Sequence, residues 1–213
     1  MKLFKVHKNL AADNYVIPLK YPQWNQDRIV KAFHKDYSDR TRVLFNTQWA
    51  VNEELKSVVP LEVLDHMWKS PVVVHYHKHR PTKMFVPIHI DGLDGVPECD
   101  FKAAINMPVI GCDEKCLTNF WNAPDGYTYK EKAKGRPYES GFLETAIEYC
   151  MTDQPILFNT KELHSTVNYN DWERERCIIS WRFKEYISWE DTKDMLREYI
   201  QPIPRMTNLV PLG

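Results

Sequence analysis

No glycine precedes Gly92, and six of the seven (Gly92, Gly95, Gly111, Gly126, Gly135 and Gly141) lie between residues 92 and 141. Glycine supplies the positive φ of tight turns, so turn-rich β structure is expected to begin near residue 92. An excess of charge of either sign is also missing. The 28 basic and 29 acidic side chains leave a formal charge of −1. This excludes a broad basic face, the usual basis of phosphate neutralisation, and no nucleic-acid partner is expected. No apolar run approaches the roughly 18 residues of a membrane span, so no membrane partner is expected either. The N-terminus carries no apolar stretch of the signal-peptide kind, and a soluble, cytoplasmic protein is the expectation. Cysteine is sparse and odd in number: Cys99, Cys112, Cys116, Cys150 and Cys177. Free thiols fit that count. Cys112 and Cys116 have no second Cys or His pair at zinc-finger spacing.

What is present is globular: 43% hydrophobic, 27% charged and 13% aromatic among 213 residues. A chain of this length supports one good-sized core, and a single domain over residues 1–213 is expected. Residues 1–80 read as a helical N-terminal support. Ile29, Val30, Phe33 and Tyr37 follow a helical spacing after Asn25 and Asp27, which can cap. Pro60 opens a second helix, with Leu61, Leu64, Met67 and Trp68 on one side. Residues 188–213 read as a C-terminal helix and tail. There Ser188 and Asp191 form a capping-box pattern ahead of Met195, Leu196 and Tyr199, and Pro202, Pro204 and Pro211 follow. Between these ends, residues 81–187 hold most of the short β-like runs. They are Met84 to Asp91, Ala103 to Val109, Leu117 to Trp121, Pro155 to Asn159 and Cys177 to Tyr186, preceded by Val72 to His77. Short strands divided by turn signals, with no helices between them, point to a mainly β sandwich or jelly roll with flanking helices. Residues 122–141 are polar and read as an exposed loop.

His89-Ile90-Asp91 closes one of these runs. Residues i and i+2 of a strand share a face, so an imidazole and a carboxylate emerge side by side. His164 follows the run from Pro155, at what reads as the end of a strand. Two histidines and one carboxylate on three corners of an octahedron leave three positions open, the donor set of non-haem Fe(II) oxygenases. Arg176 opens the apolar stretch Arg176 to Phe183. An arginine reaching into a β core needs an anionic partner, and its planar fork suits a carboxylate. A dicarboxylate that chelates iron at its other end would be such a partner.

The H-x-D motif, the distant histidine and the later arginine resemble those of the Fe(II)/2-oxoglutarate-dependent oxygenases. The resemblance covers roughly residues 84–184, including the Ala103 to Val109 run and the segments around Leu157 and His164. It is nearest to the small bacterial and phage members related to the aspartyl/asparaginyl and prolyl hydroxylases. The resemblance implies a double-stranded β-helix (jelly-roll) fold. It also implies a dioxygenase that hydroxylates a C–H bond of an amino acid or protein side chain with Fe(II), O2 and 2-oxoglutarate, releasing succinate and CO2. By the same likeness His89, Asp91 and His164 bind iron, and Arg176 holds the distal carboxylate of 2-oxoglutarate. Family members often carry Ser or Thr two residues after that arginine. Ile178 stands there in this chain, and Ser180 on the same face is the alternative hydroxyl. Asn106, Asn119 and Trp121 lie on strands that could line the same cavity.

Several alternatives stay open at this level. Arg174 and Arg182 share the parity of Arg176. His75, His77 and His79 alternate as a competing metal set, although the glutamate of a cupin-like site is missing and Lys78 and Arg80 intervene. Lys130, Lys132 and Lys134 belong to a solvated loop or a substrate lid. A non-catalytic, metal-containing jelly-roll binding module and a zinc hydrolase are the rival functions.

Overall fold

A computed structural model describes residues 4–6, 11–37, 49–68, 71–76, 84–91, 100–113, 116–122, 143–150, 153–168 and 176–202. Helix α1 (Gln26–Tyr37) starts where expected, because the Asn25 side chain accepts the Arg28 backbone N–H at 3.1 Å. Helix α2 (Trp49–Val58) was not legible, and α3 (Leu61–Leu64) is a single turn rather than the longer helix suggested by Pro60. Met67 leaves that turn to bridge Phe183. Helix α4 (Trp189–Met195) has the full reciprocal box. Ser188 Oγ accepts the Asp191 N–H, and Asp191 accepts the Ser188 N–H at 3.0 Å.

The strands are β1 (Phe4–Val6), β2 (Val16–Pro18), β3 (Val72–Tyr76), β4 (Met84–His89), β5 (Ala103–Ile110), β6 (Cys116–Asn122), β7 (Glu144–Cys150), β8 (Ile156–Asn159), β9 (His164–Asn168) and β10 (Arg176–Arg182). They form two five-stranded antiparallel sheets, ordered β2-β8-β5-β10-β3 and β1-β7-β6-β9-β4. The pairing is nested: β3 with β10, β4 with β9, β5 with β8 and β6 with β7. The first 80 residues, expected to be a helical support, therefore also supply three strands. Two of these are three residues long, too short to display an alternating pattern. His164 opens β9 instead of closing the run from Pro155. That run is β8 in one sheet, and the chain crosses to the other sheet before His164.

Alternation along β5 and β10 sorts the core into two layers. Ala103, Ile105, Met107 and Val109, with Cys177, Ile179 and Trp181, face Ile29, Phe33, Leu55, Val58 and Val63 of the helices. Full burial of each large side chain contributes about 1.5–3 kcal/mol, which fastens the helices to this sheet. The other face of the same sheet looks toward its partner sheet. There Val16, Ile156, Phe158 and Ile178 meet Phe120, Ala146, Ile147 and Tyr149. The molecule is thus a mainly β sandwich with helices on one outer face. No described helix is long and apolar enough to cross a membrane.

Candidate metal centre

His89 and His164 are directly opposed across the β4–β9 ladder. Opposed residues of an antiparallel pair share a face, and their ring centroids are 4.3 Å apart. Asp91 lies two residues beyond His89, just past the strand. Its backbone N–H donates to the Thr160 carbonyl at 3.0 Å. The Asp91 Oδ1 atom is 3.2 Å from His89 Nε2 and 3.7 Å from His164 Nε2. One ligand atom from each of the three residues falls within 4.8 Å of the others, so this group could hold a metal ion. The donor set of two imidazoles and a carboxylate is compatible with Fe(II).

The ligands are oriented from behind. His164 Nδ1 is 2.8 Å from the Glu162 carbonyl oxygen. A carbonyl only accepts, so Nδ1 carries the proton and Nε2 keeps its lone pair for a metal. The His164 ring also packs edge-on against Phe158 at 4.7 Å and lies 6.2 Å from Phe120. Exposure is graded: 6% for the His164 side chain against 32% for His89 and 28% for Asp91. The group is sealed on the core side and open on the other. Burial pushes the Asp91 carboxyl pKa up, but the charges and hydrogen bonds of His164 and His89 outweigh it. They hold the carboxyl well below its usual range.

The inner face of the helix-backed sheet continues the polar surface. Arg176 is buried at the start of β10, with Ile178 and Ser180 following on its face. Ser180 is opposed to Asn106 of β5, which is also buried. Among the described residues the Asn106 Oδ1 atom has no hydrogen-bond partner. Two residues passed over in the sequence join this set. Thr118 and Thr166 are opposed across β6 and β9, one step beyond the opposed Phe120 and His164 and on their face, and both are buried. Their signal was parity, since Thr166 stands two residues after His164.

The two other candidates point away. Asn119 is opposed to Ser165, one residue out of phase with the Phe120–His164 pair, so both lie on the reverse face of the sheet. Trp121 follows them, its Nε1 donating to Ser165 Oγ at 2.9 Å, and it packs beside Ile88, Leu143 and Leu163. Sequence alternation alone could not fix which parity of β6 faced inward. Arg182 sits at the far end of β10, its guanidinium 4.1 Å from the centroid of the Phe101 ring. Arg174, His77, His79 and the lysines from Lys130 to Lys134 lie outside the described residues. Cys112 and Cys177 are in the thiol form, the Cys112 Sγ lying 3.4 Å from the Ile110 and Cys177 carbonyl oxygens.

No protein-family model matches the chain, and no curated protein matches it. Among solved structures it is similar to apo HygX from Streptomyces hygroscopicus. The identity is 12% and the TM-score 0.46, over 82% of this chain and 84% of that one.

Proposed function

We propose that this chain is a non-haem Fe(II)/2-oxoglutarate-dependent dioxygenase built on a double-stranded β-helix. It would hydroxylate a C–H bond of an amino acid or protein side chain. The nested strand pairing supports the jelly-roll reading, because each pair closes inside the one before it. The observation that carries the function is the group of three donors within 4.8 Å at the open edge of a sandwich whose inner face also holds a buried arginine.

When bound, iron and 2-oxoglutarate supply the oxidative chemistry, consuming O2 and releasing succinate and CO2. The chain supplies orientation. His89, Asp91 and His164 would hold the metal with two imidazoles and one carboxylate. The Glu162 carbonyl keeps the His164 ring turned toward the metal. Arg176, buried at the start of β10, would offer its planar fork to the distal carboxylate of the cosubstrate. Ser180 follows on the same face with a hydroxyl, opposed to Asn106 with its amide, and Thr118 and Thr166 lie on the His164 face of the other sheet. Phe120 and Phe158 exclude water behind His164. Asn119 and Trp121, on the reverse face, have no part in holding the cosubstrate.

The test is an anaerobic titration of the metal-free protein with Fe(II) and 2-oxoglutarate. A weak visible charge-transfer band is expected in the wild type and none in His164→Ala. A folded wild-type protein that gives no band would favour a metal-containing binding module instead.

A further inference from the structure

Asp91 stands outside the ladder that fixes His89, so something other than strand pairing must hold its carboxylate in place. The backbone bond that reaches it is the one to the Thr160 carbonyl, 3.0 Å away. Thr160 is fully buried, and it is clamped twice. Its hydroxyl donates to the Phe101 carbonyl at 2.8 Å, and its N–H donates to the Lys102 carbonyl at 3.3 Å. Both anchors lie at the entry to β5, a strand packed on both faces. Two residues along the same turn, the Glu162 carbonyl receives His164 Nδ1. Asn159 closes the turn, its Oδ1 accepting the Lys161 N–H at 3.1 Å and its Nδ2 donating to the Asn14 carbonyl at 2.8 Å. One short connection between β8 and β9 therefore meets two of the three metal ligands.

We propose that Thr160 is a positioning residue of the metal centre. Its buried hydroxyl fixes the β8–β9 turn so that its carbonyl holds Asp91 within reach of both histidines. The inference rests on the reading that His89, Asp91 and His164 take a divalent metal. Valine has nearly the same shape as threonine and would fill the site. It would leave the Phe101 carbonyl buried without its donor, and the turn would shift to recover one. Lys161 and Asp100, 2.6 Å apart on the outside of the turn, are too exposed to replace that bond.

The test is anaerobic Mn(II) titration of the metal-free protein, reading free Mn(II) by electron paramagnetic resonance, with Tm measured alongside. Thr160→Val should bind Mn(II) about 10- to 100-fold more weakly, the range found when groups that orient a metal ligand are removed. Thr160→Ser, which keeps the hydroxyl, should restore affinity. Phe183→Leu, a core change on the helix side, should lower Tm and leave the Mn(II) affinity alone. If Thr160→Val does not fold, Thr160→Cys places a weaker donor in similar volume and should show a smaller loss. Wild-type affinity in a folded Thr160→Val or Thr160→Cys protein, or no rescue by serine, would overturn the positioning role. Wild-type protein that binds no Mn(II) would instead overturn the metal reading beneath it.

Discussion

His164 Nδ1 and the Glu162 carbonyl oxygen lie 2.8 Å apart, and that contact decides which nitrogen of the ring is left for a metal. His89→Ala and His164→Ala should each reduce Mn(II) or Co(II) affinity by more than an order of magnitude, read by competition with a metallochromic chelator. Metal affinity should also fall as pH is lowered, because protons compete for the same lone pairs.

Arg176 should separate cosubstrate binding from metal binding. Arg176→Ala is expected to weaken 2-oxoglutarate affinity about 10-fold or more while Mn(II) affinity stays near wild type. Arg176→Lys should recover only part of the loss, since an ammonium is a point charge without the planar fork. Calorimetric titration of the Mn(II)-loaded protein measures both. Unchanged cosubstrate affinity in Arg176→Ala would remove Arg176 from the assignment.

Phe120 links the core to the site. It is fully buried among Tyr15, Phe158 and His164. Phe120→Ala should cost about 3–5 kcal/mol of stability through the cavity it leaves, measured by urea unfolding. Because that cavity adjoins His164, metal affinity should fall with it. Met107→Ala, on the helix side of the same sandwich, should lower stability without that second effect.

The α4 cap gives a pH dependence with a definite sign. The Ser188 hydroxyl, followed by the Ser188 backbone N–H, holds the Asp191 carboxyl below its ordinary pKa. A depressed native pKa adds stability that is fully present above the unfolded carboxylate value, about 3.9, and is lost as pH falls through the lower native one. Side-chain carbonyl NMR should show Asp191 titrating below the ordinary value, and Ser188→Ala should move it back up. The same change should cost helix α4 about 1 kcal/mol.

Much of this site was legible because its chemistry is written at fixed offsets. His89 and Asp91 lie two apart, which paired them in the sequence although Asp91 falls just past the strand. Away from the site, the box of Ser188 and Asp191, three apart, was read directly from helix geometry. Parity without an anchor was not legible. Thr118, Asn119, Phe120 and Trp121 alternate across a sheet that is buried on both faces, and no polar side marks the outside. Choosing Asn119 and Trp121 as cavity residues was choosing the wrong phase. Thr166 was missed although it shares a face with His164 and stands only two residues away. The short strands β1 and β2 escaped for a different reason. Three residues carry no period, and only the pairing of Val6 with Ile147 and of Val16 with Phe158 makes them strands.

The nested pairing also sets an order of events. β3 cannot find its partner until β10 has left the ribosome, and β4 must wait for β9. Closures over such long separations are slow, because loop entropy is lost before any contact repays it. A nascent chain that has made only His89 and Asp91 holds two members of the group of His89, Asp91 and His164. The group that could hold a metal is therefore complete only late, after the turn through Thr160 has brought His164 opposite His89.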